Sequence, residues 1–376
     1  MERKDLFHAA PKRIVLTFVS ASIIVAHLLT RPNHSLNAFL SDHFVRPVHK
    51  TMSVAASVVS FSLAEWIIGM FATSVLIYLT HEIIQLVKGE RKGRRLFLLT
   101  VTVLCIGLTF YALFCLLWGV YYYGDDFAAH SGLDDGPVDI EDLRAVTIYF
   151  ASLCNEYAKL VPRDENGVCC FDREAVLERS NEVYSIAEKM YPCLEAPDVR
   201  AKGVRYSIVM SYVDFTGFFF PFTAEANVNT DFPTSLFPAT VAHELAHQRG
   251  VAKEQEANFC AVMSSLLYGD PEFCYSACLL AYTHLGNALY RSDYTMWSYV
   301  YSSLSEEVLT DFAANREYWN RFDTTVKTVS NTVYENFLYS YSQTLGRKSY
   351  GACVDLLVHY YIEDARELLA HPKQAN

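Results

Sequence analysis

Three long apolar runs constrain this chain before anything else: Ile14 to Thr30, Leu63 to Val87 and Leu96 to Tyr122. A helix rises only about 1.5 Å per residue, so crossing a bilayer takes roughly 20 mostly apolar residues. The second and third runs meet that length, and the third ends in Trp118, Tyr121, Tyr122 and Tyr123, the aromatic residues expected at a lipid–water boundary. The first follows Arg3, Lys4, Lys12 and Arg13 as the core of a signal peptide would. No A-x-A-like cleavage site precedes Arg31-Pro32, so it reads as a retained helix. Residues 1–123 are therefore expected to form a membrane anchor of three transmembrane helices, and residues 124–376 a domain of ordinary size.

Charge sets an expected orientation, because basic loops stay on the cytoplasmic side. Lys88, Arg91, Lys92, Arg94 and Arg95 crowd the loop between the second and third runs, whereas Asp125, Asp126, Asp134, Asp135 and Asp139 follow the third. The expectation is a multi-pass protein of the cell membrane, in contact with the lipid bilayer, whose larger domain lies outside the cytoplasm. A net charge of −11 without a cluster of Lys and Arg beyond Arg95 argues against a nucleic-acid partner. Eight of the ten cysteines fall after residue 123, where disulfides would be permitted. Cys274 and Cys278 are one helical turn apart and read as a packed face rather than a bridge.

After a Gly- and Asp-rich linker at Gly132 to Asp139, helical patterns occupy Glu141 to Leu160 and Arg173 to Tyr191. Arg205 to Val213 reads as a strand and Thr216 to Phe222 as a crossing. From Thr223 to Asn229 the polar residues Thr223, Glu225, Asn227 and Asn229 alternate with Ala224, Ala226 and Val228, the pattern of a half-exposed strand. Helices are expected after Pro233 up to Arg249-Gly250, and then at Lys253 to Tyr268, Glu272 to Arg291, Ser303 to Arg321, Thr325 to Thr344 and Tyr350 to Leu369. The fold class is mainly α with a small β-sheet (α+β), behind N-terminal transmembrane helices.

One of those helices carries His243-Glu244-Leu245-Ala246-His247. Residues four apart share a helix face, so both imidazoles can reach one Zn²⁺, and Glu244 sits beside them. The metal acidifies a water and Glu244 can take its proton as general base, the division of labour of zinc-dependent hydrolysis. Gly250 lies three residues past His247, where a positive φ would end the helix and turn the chain back. Beyond that turn, Glu254 and Glu256 are both candidates for a third ligand. Glu254 is preferred, because Asn258 is one turn further along its face and placed to support a ligand histidine from behind. Glu225 and Asn227 are expected to bind an extended peptide along an edge strand. Tyr282, His284 and Arg291 are candidates for stabilising an oxyanion.

Taken together, Pro221-Phe-Thr-Ala-Glu-Ala-Asn-Val-Asn229, His243-Glu-Leu-Ala-His-Gln-Arg-Gly250 and Glu254-Gln-Glu-Ala-Asn-Phe259 resemble the bacterial membrane family labelled domain of unknown function 3810. Trp118-Gly-Val-Tyr-Tyr-Tyr123, Lys348-Ser-Tyr-Gly351 and Leu356-Leu357 are similar to that family too. The resemblance implies an N-terminal membrane anchor and a zincin-like domain outside the cytoplasm, in a family whose substrate is not established. The expected activity, read from the His243-Glu244-Leu245-Ala246-His247 motif, is that of a zinc metallopeptidase acting on a peptide or protein substrate, cell-envelope material among the candidates. A more distant similarity to Glu-zincin peptidases, in which E-x-x-A-[DN] supplies the third ligand, falls on Glu254 and Asn258. The alternative is a catalytically silent zincin-like sensor or scaffold in the membrane.

Overall fold

The structure, a computed structural model, describes residues 10–89, 92–341 and 351–371. Arg3, Lys4, Arg91, the Lys348-Ser349-Tyr350 stretch and the expected helical residues 342–344 lie outside them. The chain divides into two compact units: Met1–Met52 with Ser62–Asp125 and Pro221–Thr223, and Ser53–Phe61 with Asp126–Phe220 and Ala224–Asn376.

Among the described residues the first unit holds three helices long and apolar enough to cross a membrane: α1 (Pro11–Thr30), α2 (Leu63–Lys88) and α3 (Lys92–Leu117). Trp66, Met70, Phe71, Leu76 and Ile77 of α2 all stand exposed. So much exposed apolar surface would be costly in water, at about 25 cal/mol per Å², and is what a lipid-facing helix presents. Helices α1 and α3 pack together, and hydroxyls bridge them where Ser20 meets Thr109 at 3.0 Å. Short helices at His34–Leu40 and Arg46–Ala56 follow α1, and the apolar-run reading did not anticipate them.

The second unit is mainly helical: α4 (Phe127–Ser131), α5 (Ile140–Ala158), α6 (Arg173–Arg179), α7 (Ser207–Tyr212), α8 (Phe237–Gln248), α9 (Glu254–Tyr268), α10 (Pro271–Ser292), α11 (Tyr294–Ser302), α12 (Glu306–Asn320), α13 (Thr325–Ser340) and α14 (Gly351–Ala370). Its core lies where α10 packs on α5, α8 and α9, with Phe150, Cys154, Leu245, Phe259, Cys278 and Leu357 fully enclosed. Among the described residues the cysteines are all free thiols. Arg173 to Tyr191 is broken: α6 ends at Arg179, a 3₁₀ turn covers Ser180–Glu182, and helix resumes only at Ala187–Met190.

The sheet has three strands, β1 (Lys202–Val204), β2 (Gly217–Phe220) and β3 (Glu225–Asn229), in the order β1-β3-β2. Three sequence expectations are corrected here. Arg205 to Val213 is not a strand; α7 occupies it, burying Ser207, Met210 and Ser211 at helical spacing while the β-favouring Ile208 and Val209 face out. Buried serines made the apolar period hard to see. Second, Thr216 to Phe222 is no mere crossing, since β2 lies inside it. Third, β3 is central and buried at every position, with β1 parallel on one side and β2 antiparallel on the other. Its polar alternation does not mark a wet face, because those side chains are satisfied from within. Glu225 pairs with Lys202 at 2.6 Å, and Asn229 Nδ2 donates to Ser211 Oγ at 2.9 Å and to the Phe215 carbonyl at 3.0 Å.

Candidate metal centre

Helix α8 lies across β2 and β3 and presents the ligand face. Its end is a turn of the Schellman type: Gly250 takes φ +89°, its N–H donates to the His247 carbonyl (2.9 Å), and the Val251 N–H reaches the Ala246 carbonyl (3.1 Å). The positive φ expected at Gly250 is present. The same turn brings the Val251 carbonyl to 2.7 Å from His247 Nδ1. A carbonyl only accepts, so Nδ1 carries the hydrogen and the Nε2 lone pair of the neutral ring is left for another partner.

That lone pair faces the other donors. His247 Nε2 lies 3.1 Å from His243 Nε2, and Glu254 Oε2 lies 3.3 Å from His243 Nε2 and 3.6 Å from His247 Nε2. Ligands bound to zinc at 2.0–2.1 Å in a tetrahedron sit about 3.3 Å apart. The three separations are those of one tetrahedral face around a shared ion, so the group formed by His243, His247 and Glu254 fits a divalent metal. Electrostatics agree. Burial alone would push His247 down, but the Glu254 carboxylate beside it lifts it to about 9. Burial likewise opposes ionisation of Glu254, yet the imidazoles hold it well below the ordinary carboxylate range. The pocket thus favours positive charge between these groups.

Glu244 sits next to the trio and is only 4% exposed. Burial raises its carboxyl to about 7, against the opposing pull of His243 and His247. Its Oε2 has no hydrogen-bond partner among the described residues, nor has His243 Nδ1. Buried polar atoms are nearly always paired, so orphans of this kind mark a place that a ligand or water completes. Gly217 of β2 makes room for Glu244: a Cβ there would lie 2.7 Å from the carboxyl carbon. The sequence reading passed over Gly217, for which the only signal was a glycine at the start of an apolar stretch.

Between the two candidate carboxylates, the structure brings Glu254 to the imidazoles. Glu256 turns away and accepts the backbone N–H groups of Phe127 (3.0 Å) and Ala128 (3.4 Å) at the start of α4. Asn258 shares a cavity with His243 and Glu254 but bonds to neither imidazole; the Val251 carbonyl does that work for His247. Its expected supporting role is corrected accordingly. Glu225 and Asn227 are also corrected. Glu225 is locked to Lys202, Asn227 Nδ2 donates to the Glu225 carbonyl (3.0 Å), and with both edges of β3 taken no peptide can pair there.

Of the oxyanion candidates, His284 is near enough to the centre for the charge of His243 to bear on it; burial, aided by that charge, lowers it to about 4. Tyr282 packs against Phe312, and Arg291 is exposed near the end of α10. The sequence also missed Tyr334 of α13, whose hydroxyl donates to Glu254 Oε1 at 2.6 Å, fixing the oxygen that does not face the histidines. With 25 tyrosines in the chain, nothing local singles that one out.

No curated protein and no solved structure matches the chain. A family model does, over residues 41–358, which include the ligand-bearing helices α8 and α9. The chain belongs to the family described as protein of unknown function (DUF3810).

Proposed function

We propose that this protein is a membrane-anchored, zinc-dependent metallopeptidase of zincin-like architecture, with its larger unit outside the cytoplasm. The observation that carries the reading is the convergence of three donor atoms at tetrahedral spacing beside a buried carboxylate, Glu244, whose Oε2 has no hydrogen-bond partner among the described residues. Bound by His243, His247 and Glu254, a zinc ion would supply Lewis acidity, polarising a peptide carbonyl and lowering the pKa of water. Glu244, raised to about 7, is poised near neutrality to take a proton from the attacking water and return it to the departing amine. One water is consumed, the C–N bond breaks, and a carboxylate and an amine result. The Val251 carbonyl holds His247 in its ligating tautomer, and Tyr334 orients Glu254.

The placement outside the cytoplasm is supported by Lys88, Lys92, Arg94 and Arg95 where α2 gives way to α3, against the acidic residues from Asp125 onward. Peptide or protein segments at the outer face of the membrane are then the substrates within reach.

The test is Glu244→Gln in the full chain, with metal content measured alongside peptide hydrolysis. Zinc should stay near one per chain while hydrolysis falls by about 100- to 10,000-fold. Full turnover in that variant removes Glu244 from the reaction. A wild-type chain that holds zinc but cleaves nothing points to a silent scaffold instead.

A further inference from the structure

Beside His243 and Glu254 a cavity of about 280 Å³ opens into the second unit. Ligand pockets commonly span roughly 300–1,000 Å³, so this one has room for a single side chain rather than a whole small molecule. Its position follows from helix periodicity. Leu236, Thr240, His243 and His247 succeed one another at spacings of three or four, so the cavity wall continues the ligand face of α8 toward its N-terminus. A substrate carbonyl at the metal would therefore have a neighbouring side chain directed into it.

Five of the residues lining the cavity are apolar: Phe232, Leu236, Ala239, Leu280 and Trp319. Trp319 is held in place, its Nε1 donating to Asn315 Oδ1 at 3.2 Å and its ring packed near Phe232. Apart from His243 and Glu254, the polar residues at the wall, Thr216, Thr240, Asn258 and Asn315, carry no charge, and the Thr240 hydroxyl is already committed to the Leu236 carbonyl at 3.0 Å. Among the described residues Glu254 is the sole carboxylate lining the cavity, and its two oxygens are engaged by the imidazoles and Tyr334. Two cations that meet residues of the wall turn elsewhere: Arg173 donates to the Phe232 carbonyl, and Lys327, 5.9 Å from the Trp319 ring centre, pairs with Asp214.

We propose that this cavity is the side-chain specificity pocket of the metal centre and that it selects a large, uncharged apolar residue next to the bond to be cut. The proposal rests on the metallopeptidase reading. A charged side chain would be desolvated there without a free counter-charge, and a small one would leave a void.

The test uses the full chain in detergent, loaded with zinc, and the hydroxamates of leucine, phenylalanine, alanine, lysine and aspartate as probes, with affinity measured by calorimetry. The hydroxamate head is common to all, so differences report the side chain. The leucine and phenylalanine compounds should bind at least about tenfold tighter than the lysine and aspartate ones, a gap of about 1.4 kcal/mol. Thr240→Asp should move the preference toward lysine hydroxamate, and Leu280→Ala should favour phenylalanine over leucine. Equal affinity across the series overturns the pocket even if the wild-type chain cleaves peptides. Selective binding by a chain that cleaves no peptide library upholds the pocket and removes the hydrolytic reading. A chain that takes up no zinc and binds no hydroxamate overturns both.

Discussion

Two neighbouring clusters of buried polar groups, one on β3 and one on α8, differ in what satisfies them. On β3, Glu225 has the Lys202 ammonium, and Lys202 also donates to the Ala56 carbonyl at 2.8 Å. Asn229 spends its amide on Ser211 and Phe215. On α8, Glu244 Oε2 and His243 Nδ1 are as deeply placed but have no partner among the described residues, and two imidazole nitrogens face each other at 3.1 Å. Burial of polar atoms is common to both, so burial is not the mark of a functional site. What separates them is the remaining demand: the strand's polar groups complete one another, whereas those of the helix require something brought from outside.

The difference can be broken deliberately. Lys202→Met should be the most damaging change, because it leaves the Glu225 carboxylate buried without its counter-ion; about 3–5 kcal/mol of stability should be lost, as read by denaturant unfolding. A loss under about 1 kcal/mol would mean the pair is not the support described above. Tyr334→Phe, by contrast, should leave unfolding nearly unchanged and weaken zinc binding by roughly 10- to 100-fold, measured by competition with a chelator. Unaltered affinity would show that Glu254 needs no help in facing the histidines.

Gly217→Ala probes the seam between the clusters, since β2 touches α8 there. The added methyl group meets the Glu244 carboxylate, so a cost of about 1–3 kcal/mol is expected together with a drop in hydrolysis at unchanged zinc content. The smallest effect is expected from Glu244→Gln on stability. Because burial already disfavours the ionised form, the amide should unfold within about 0.5 kcal/mol of wild type or later. A large destabilisation would place Glu244 with Glu225, as a structural group.

Much of the centre was legible in the sequence because its geometry is local. Four residues make slightly more than one helical turn, so His243 and His247 share a face wherever that helix is packed. Gly250 is the residue type that tolerates the positive φ ending it, and the carboxylate just beyond the turn comes back within reach. The three long apolar helices were equally legible, since length and hydropathy belong to the segment itself. By contrast, α7 was taken for a strand because its buried positions are filled by serines, whose partners include residues far along the chain, Thr230 for Ser207 and Tyr318 for Ser211.

The sequence by itself determined the three apolar spans, the paired histidines with Glu244 between them, and the turn that returns a carboxylate; all depend on contacts within a few residues. Only the tertiary structure decided that β3 is central, that Glu225 and Asn227 belong to the sheet's interior, that Glu254 rather than Glu256 joins the histidines, and that Gly217, Val251 and Tyr334 serve the centre. Several of those outcomes rest on distant partners, such as Lys202 with Glu225, 23 positions apart, and Phe127 with Glu256, 129 apart. Whether a buried polar group is satisfied is a property of what folds against it, and no pattern along the chain records that.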